Sequence, residues 1–204
     1  MSRISLEELT RAFAAAFARV DARAPVWTSS TGRVYQAGLG PHAEDAAVAL
    51  VLAELAADPS WPGVPCGQFI DYPNQRAQVC DMWVGEPAQW VVEVKMARLR
   101  GDNGKPDDMT IKKVISPYAR DHRAVTDATK LAESAFSAEK AIIIYGFDYP
   151  NQSVEPLIDA FEALTNRKVE LGPRCEVDLG ALVHPVHAAG RVFGWRVGPP
   201  RKSA

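Results

Sequence analysis

Apolar residues recur at helical spacing from Leu6 to Val20, and Ser5 with Glu8 three residues on forms a capping-box pattern ahead of them. Residues 25–40 contain Gly, Ser and Thr and read as a loop or a weak hairpin. A second helix is predicted over HAEDAAVALVLAELAA, residues 42–57, entered through Gly40-Pro41. Its middle, Ala46 to Ala53, is apolar on every side, which predicts a helix sunk in the core. Asp58-Pro59 and Trp61-Pro62-Gly63 end it.

The pattern then changes period. Gly67 to Tyr72 is a short strand-like run; Gln78 to Val84 and Gln89 to Met96 follow, joined by Gly85-Glu86-Pro87-Ala88, a turn composition. Ala97 to Pro117 is a long polar connection with Gly101, Gly104 and Pro106, too long to be idle in a compact domain. Arg120 to Ala138 has helical periodicity, and Ala141 to Phe147 is a continuous apolar strand that expects cover on both faces. Ser153 to Asn166, with Pro156 in its first turn, is a further helix. Cys175–Val183 and Arg191–Val197 read as a closing β-hairpin around Ala188-Ala189-Gly190. The order α, β, β, β, α, β predicts an α/β fold with a mixed central sheet flanked by helices. One domain over 1–204 is expected, with a core at about 40–148, an extra N-terminal helix within 1–24, and a C-terminal helix plus hairpin within 153–198.

Composition narrows the classes. Apolar residues at 47% and charged residues at 24% exclude a disordered chain, and no apolar run reaches the ~18 residues of a membrane span. The acidic Glu7 and Glu8 ahead of the first apolar stretch do not suit a secretory leader, so a cytoplasmic location is expected, with no membrane partner. Cys66, Cys80 and Cys175 are odd in number and widely spaced, as reduced thiols are. Between Lys95 and Arg123 eight basic residues face four acidic ones, a local positive excess inside a chain of net charge −2 that could hold phosphates.

The strands carry the chemistry. In QWVVEVKM the side chains of Val91, Glu93 and Lys95 share one face, and charges on a core strand need partners. Asp81 interrupts the apolar run of the neighbouring strand. Asp81 faces Glu93 only if paired residue numbers sum to 174, which requires an odd number of linking residues; a two- or four-residue loop puts Asp81 opposite Val92. Two carboxylates held together favour a cation, and hard oxygen ligands suit Mg²⁺ or Mn²⁺. A lysine beside them can orient or activate a water, or stabilise transition-state charge. A surface Glu–Lys pair with a lone Asp is the structural alternative.

Asp81 followed by Glu93-Val94-Lys95, on consecutive strands after a buried helix, resembles the D-Xn-E-X-K signature of the PD-(D/E)XK, restriction-endonuclease-like nucleases. The αβββαβ order of that superfamily matches roughly Gly40 to Asp148. The residue before Asp81 is Cys80, where the family signature has Pro. The resemblance implies a restriction-endonuclease-like core, Asp81 and Glu93 as metal ligands and Lys95 as the catalytic lysine. It also implies a third carboxylate early in the first core helix, for which Glu44 fits best. Lys130, with Asp127 as its i,i+3 partner, is the expected contribution of the helix after the E-x-K strand, and Tyr118 could lie over the site.

The resulting expectation is a Mg²⁺-dependent endonuclease acting on DNA, with RNA the second choice of substrate. Arg98, Arg100, Lys112, Lys113, Arg120 and Arg123, with Lys130, would hold backbone phosphates without reading sequence. A second copy or another protein could supply recognition, and a place in defence against foreign DNA is fold analogy only. The competing expectation is a non-catalytic interaction or assembly module on the same fold, with the apolar N-terminal helix as its docking element; a hydrolase or transferase acting on small phosphorylated substrates is a third. Glu54 is expected to end its helix, and His184 and His187, which straddle Pro185 with no carboxylate nearby in sequence, to be structural. Trp83, Trp90 and Trp195 are expected in the core. No phosphate-binding loop, dinucleotide fingerprint or nucleophile elbow occurs.

Overall fold

A computed structural model describes residues 3–75, 77–116 and 123–201. Ser5 caps helix α1 (Leu6–Ala22): its hydroxyl accepts the Glu8 N–H while the Glu8 carboxylate accepts the Ser5 N–H, satisfying two end-of-helix donors. Helix α2 (Glu44–Ala57) follows, then strands β1 (Cys66–Asp71), β2 (Val79–Val84) and β3 (Trp90–Ala97). The connection to β4 (Glu139–Asp148) carries two helices, α3 (Asp108–Ile115) and α4 (Ala124–Glu133). Helix α5 (Glu155–Thr165) and strands β5 (Val169–Leu171), β6 (Cys175–Ala181) and β7 (Ala189–Pro200) complete the chain.

The strands form a seven-stranded, mostly antiparallel sheet in the order β1-β2-β3-β4-β7-β5, with β6 also on β7. Only β3 and β4 run parallel within it, as a pair joined by a helical crossover must. Register assigns the faces. Tyr145 and Phe147 of β4 meet Phe13 and Phe17 of α1, whereas Phe161 of α5 meets Trp195 of β7. Glu93 and Lys95 pair with Ile142 and Ile144, which pair with Trp195 and Phe193, so both charges lie on the α5 side. Strand β4 is buried throughout Ala141–Phe147, as its unbroken apolar run requires.

Several expectations are corrected. Helix α2 is not buried all round: Ala47, Val48, Val51, Leu52 and Leu55 face the core, while Ala49 and Ala53 are exposed and Leu50 partly so. Its outer face is mostly methyl groups, and exposing alanine costs little. The polar connection contains α3, capped by the Asp107 carboxylate on the Met109 N–H. The closing hairpin turns at 182–188, with Ala189 and Gly190 already in β7, and the three-residue β5 was too short to leave a pattern. Trp90 and Trp195 are buried, whereas Trp83 is half-buried. The three cysteines are free, and among the described residues no helix is long and apolar enough to cross a membrane.

Helix α1 seats closely on β7 because Gly194 has no side chain there: a methyl group at that position would drive into the Thr10 hydroxyl. Gly194→Ala should therefore cost about 1–3 kcal/mol through overpacking. Adding Thr10→Ala should recover most of it, measured by denaturant unfolding; strictly additive losses would contradict this account.

Candidate active site

The link between β2 and β3 has five residues, 85–89, the odd number that Asp81 opposite Glu93 requires. The pairs Met82–Val92, Trp83–Val91 and Val84–Trp90 fix the register. The ladder stops at Met82–Val92, so Asp81 and Glu93 stand where the two strands part. Asp81 Oδ2 accepts the Val94 N–H at 2.8 Å, a side chain taking a bond the ladder has given up. On its other side the β1–β2 pairing omits the position opposite Asp81. Phe69 sits there with φ of 58°, a strained conformation for a non-glycine residue, and with its side chain exposed.

Glu44, at the start of α2, reaches the end of β3, where its Oε2 accepts the Met96 N–H. Its Oε1 lies 3.4 Å from Lys95 Nζ, as does Asp81 Oδ2, and Asp127 Oδ2 lies 3.2 Å away; Lys95 Nζ also donates to the Val94 carbonyl at 2.9 Å. Lys130 Nζ, one helical turn from Asp127, is 2.7 Å from Glu93 Oε1 and 3.1 Å from Asp127 Oδ1. The same Glu93 oxygen accepts the Tyr72 hydroxyl at 2.6 Å, and Lys130 Nζ sits 4.7 Å above the Tyr72 ring. Helix and sheet thus bring together Glu44, Asp81, Glu93, Lys95, Asp127 and Lys130, drawn from four elements.

The electrostatics are unbalanced. Four carboxylates face two ammonium groups, and Glu93, Lys95 and Asp127 are only 2%, 8% and 3% exposed. Burial, with the Asp127 and Asp81 charges, pushes the Glu93 carboxyl up to about 8 against the pull of both lysines. Burial likewise raises Glu44, opposed by Lys95. Burial alone would strip the Lys95 proton, but Glu44, Asp127 and Asp81 outweigh it and hold the ammonium well above its ordinary range. Glu44 and Asp81 are part-exposed and Glu93 is buried; these three carboxylates are the oxygen groups that could hold a divalent cation. Among the described residues no three His, Cys, Asp or Glu side chains stand at the spacing of a formed ion cage.

The basic candidates divide. Arg98, Lys113 and Arg123 line a cavity of about 380 Å³ that also takes in Glu44 and Lys95. Lys112 is exposed on α3. Arg100 turns onto its own loop, donating to the Gly104 carbonyl at 2.9 Å and stacking over Tyr149. Arg120 and Tyr118 lie outside the described residues. Glu54 lies in the last turn of α2, three residues before its end at Ala57, and pairs with Arg19 of α1 and with Arg23 at the α1 C-cap. His184 and His187 are fully buried and stacked, but the second has a carboxylate after all: Asp102 Oδ1 is 3.2 Å from His187 Nε2, brought there by the 97–107 loop. Tyr72 and Trp27 are the site residues that sequence reasoning missed. An aromatic at a strand end or in a loop carries no signal separating site from packing.

No family model matches the chain, and no curated protein or solved structure matches it either.

A carboxyl raised in the folded state keeps a proton that the unfolded chain has released. The ion-free protein should therefore lose stability as pH rises from about 4.5 through 8. Glu93→Gln removes this contribution, so its melting temperature should fall less steeply over that window than the wild type's. Equal slopes in the two proteins would rule out Glu93 as the titrating group.

Proposed function

We propose that the protein is a metal-dependent nuclease of the PD-(D/E)XK type, hydrolysing phosphodiester bonds of DNA, with RNA the second choice. One observation carries the reading: where β2 and β3 part, the Glu44 and Asp81 carboxylates each lie 3.4 Å from Lys95 Nζ, with Glu93 two residues earlier on the same face of β3. The order of elements from α2 to β4, with β1, β2 and β3 antiparallel and β4 parallel to β3, agrees with the αβββαβ core of that superfamily. Buried charges of this number are costly to stability and are kept where chemistry uses them.

Glu44, Asp81 and Glu93 would hold a divalent ion, which when bound would supply Lewis-acid polarisation of a phosphoryl oxygen. The chain's own groups supply the rest. Lys95, its ammonium flanked by Glu44, Asp81 and Asp127, acts as a hydrogen-bond donor and positive charge towards the attacking water or a non-bridging oxygen. Tyr72 and Lys130 hold the Glu93 carboxylate from one side, fixing its direction. Asp127 braces both ammonium groups, at 3.2 Å from Lys95 and 3.1 Å from Lys130.

Plasmid and single-stranded DNA should be degraded in Mg²⁺ or Mn²⁺ and left intact in EDTA. Asp81→Ala and Lys95→Ala should each lower the rate at least about a hundredfold, the scale of one lost electrostatic group. Cleavage that survives both substitutions, or no cleavage with either metal, would overturn the proposal.

A further inference from the structure

Resting on the nuclease reading, we infer that the cavity beside the carboxylates receives an unpaired nucleotide, so that the substrate is single-stranded or locally opened at the cleavage point. The cavity, about 380 Å³, is of small-molecule size and shares Glu44 and Lys95 with the carboxylate cluster. Arg98, Lys113 and Arg123 line it together with Lys95 and Glu44, basic groups of the kind that hold the phosphates of an anionic chain. Arg98 Nε is buried with no hydrogen-bond partner, while its Nη1 is held by the Gly40 carbonyl at 2.9 Å and by Asp102.

The rest of the lining is Pro41, Ala43 and Met96 with two aromatic rings. Trp27 and His42 both face the cavity, with ring centroids 5.4 Å apart. Trp27 is held by a strap over residues 25–38: its carbonyl accepts the Tyr35 N–H at 2.9 Å, Thr28 pairs with Val34, and the Gly38 N–H bonds the Pro25 carbonyl. The strap also lays the Arg33 guanidinium over the Tyr35 ring at 4.7 Å. An indole in a concave, cationic pocket can meet the face of a base, and a base in a duplex shows only its edge. A paired, stacked nucleotide therefore cannot use the cavity, whereas an unstacked one can place its base on Trp27 and its phosphates along Arg98 and Lys113.

The test is fluorescence anisotropy in EDTA with a labelled 15-mer, single-stranded or as a blunt duplex, and with the single strand carrying abasic sugars. Wild type should prefer the single strand. Removing its bases should weaken binding at least about fivefold, the lower end of base–aromatic stacking, whatever the folding of any variant. Trp27→Ala should cost a similar factor on the single strand alone, Trp27→Phe should restore most of it, and thermal melting should show both folded. Lys113→Ala, an exposed change, should lower affinity and reduce the salt slope by about one ion. Equal affinity for duplex and single strand, or indifference to abasic sugars and to Trp27→Ala, would overturn this inference while metal-dependent cleavage left the nuclease reading standing. No DNA binding together with no cleavage would overturn both.

Discussion

The site depends on one constraint: two charges of opposite sign, Glu93 and Lys95, point to the same face of the central strand β3, among side chains shut off from water. Neither can be buried alone at tolerable cost. Each is met by groups from elsewhere in the chain: Asp81 across the hairpin, Glu44 from the start of α2, Asp127 and Lys130 from α4, and the Tyr72 hydroxyl just past β1. The cluster is therefore also a clasp. It ties the antiparallel edge β1–β2, the helix before it and the crossover helix after it to one strand.

The parallel pairing of β3 with β4 gives that clasp its second half. A parallel neighbour cannot be reached by a tight turn, and the long crossover between them carries α3 and α4. Helix α4 contributes a carboxylate and an ammonium one turn apart, which engage Lys95 and Glu93 respectively. The partial neutralisation is uneven, and Glu44 and Glu93 remain raised because burial and neighbouring carboxylates outweigh the lysines. The carboxylate cluster lies beside a cavity that shares Glu44 and Lys95 with it and is also lined by Arg98, Lys113 and Arg123.

Much of this was legible in the chain. The alternation within β3 put Lys95 on the face of Glu93, and Asp81 joins them on condition that paired residue numbers sum to 174; the four-residue turn 85–88 read from the sequence breaks that sum, and the five-residue link 85–89 keeps it. Period and spacing are local properties, and they identified most helices and strands; Glu44 and Lys130 were singled out by the family resemblance alone, with Asp127 at the i,i+3 position from Lys130. Local pattern failed where the deciding contact was distant. It placed α2 wholly in the core because it could not see that only one face meets α1 and the sheet. It read His184 and His187 as lacking a carboxylate because Asp102 is more than eighty residues away in sequence.

The sequence by itself determined the order of most elements up to β4, that Glu93 and Lys95 share a face, and the link length under which Asp81 joins them, because these follow from side-chain period and spacing. Only the tertiary structure decided that Tyr72 clamps Glu93, that Arg100 is spent on its own loop, and that Trp27 closes a cationic cavity against Glu44 and Lys95. Those facts depend on which distant surfaces come within a few ångströms of each other, and the period of a single strand or helix carries no record of that distance.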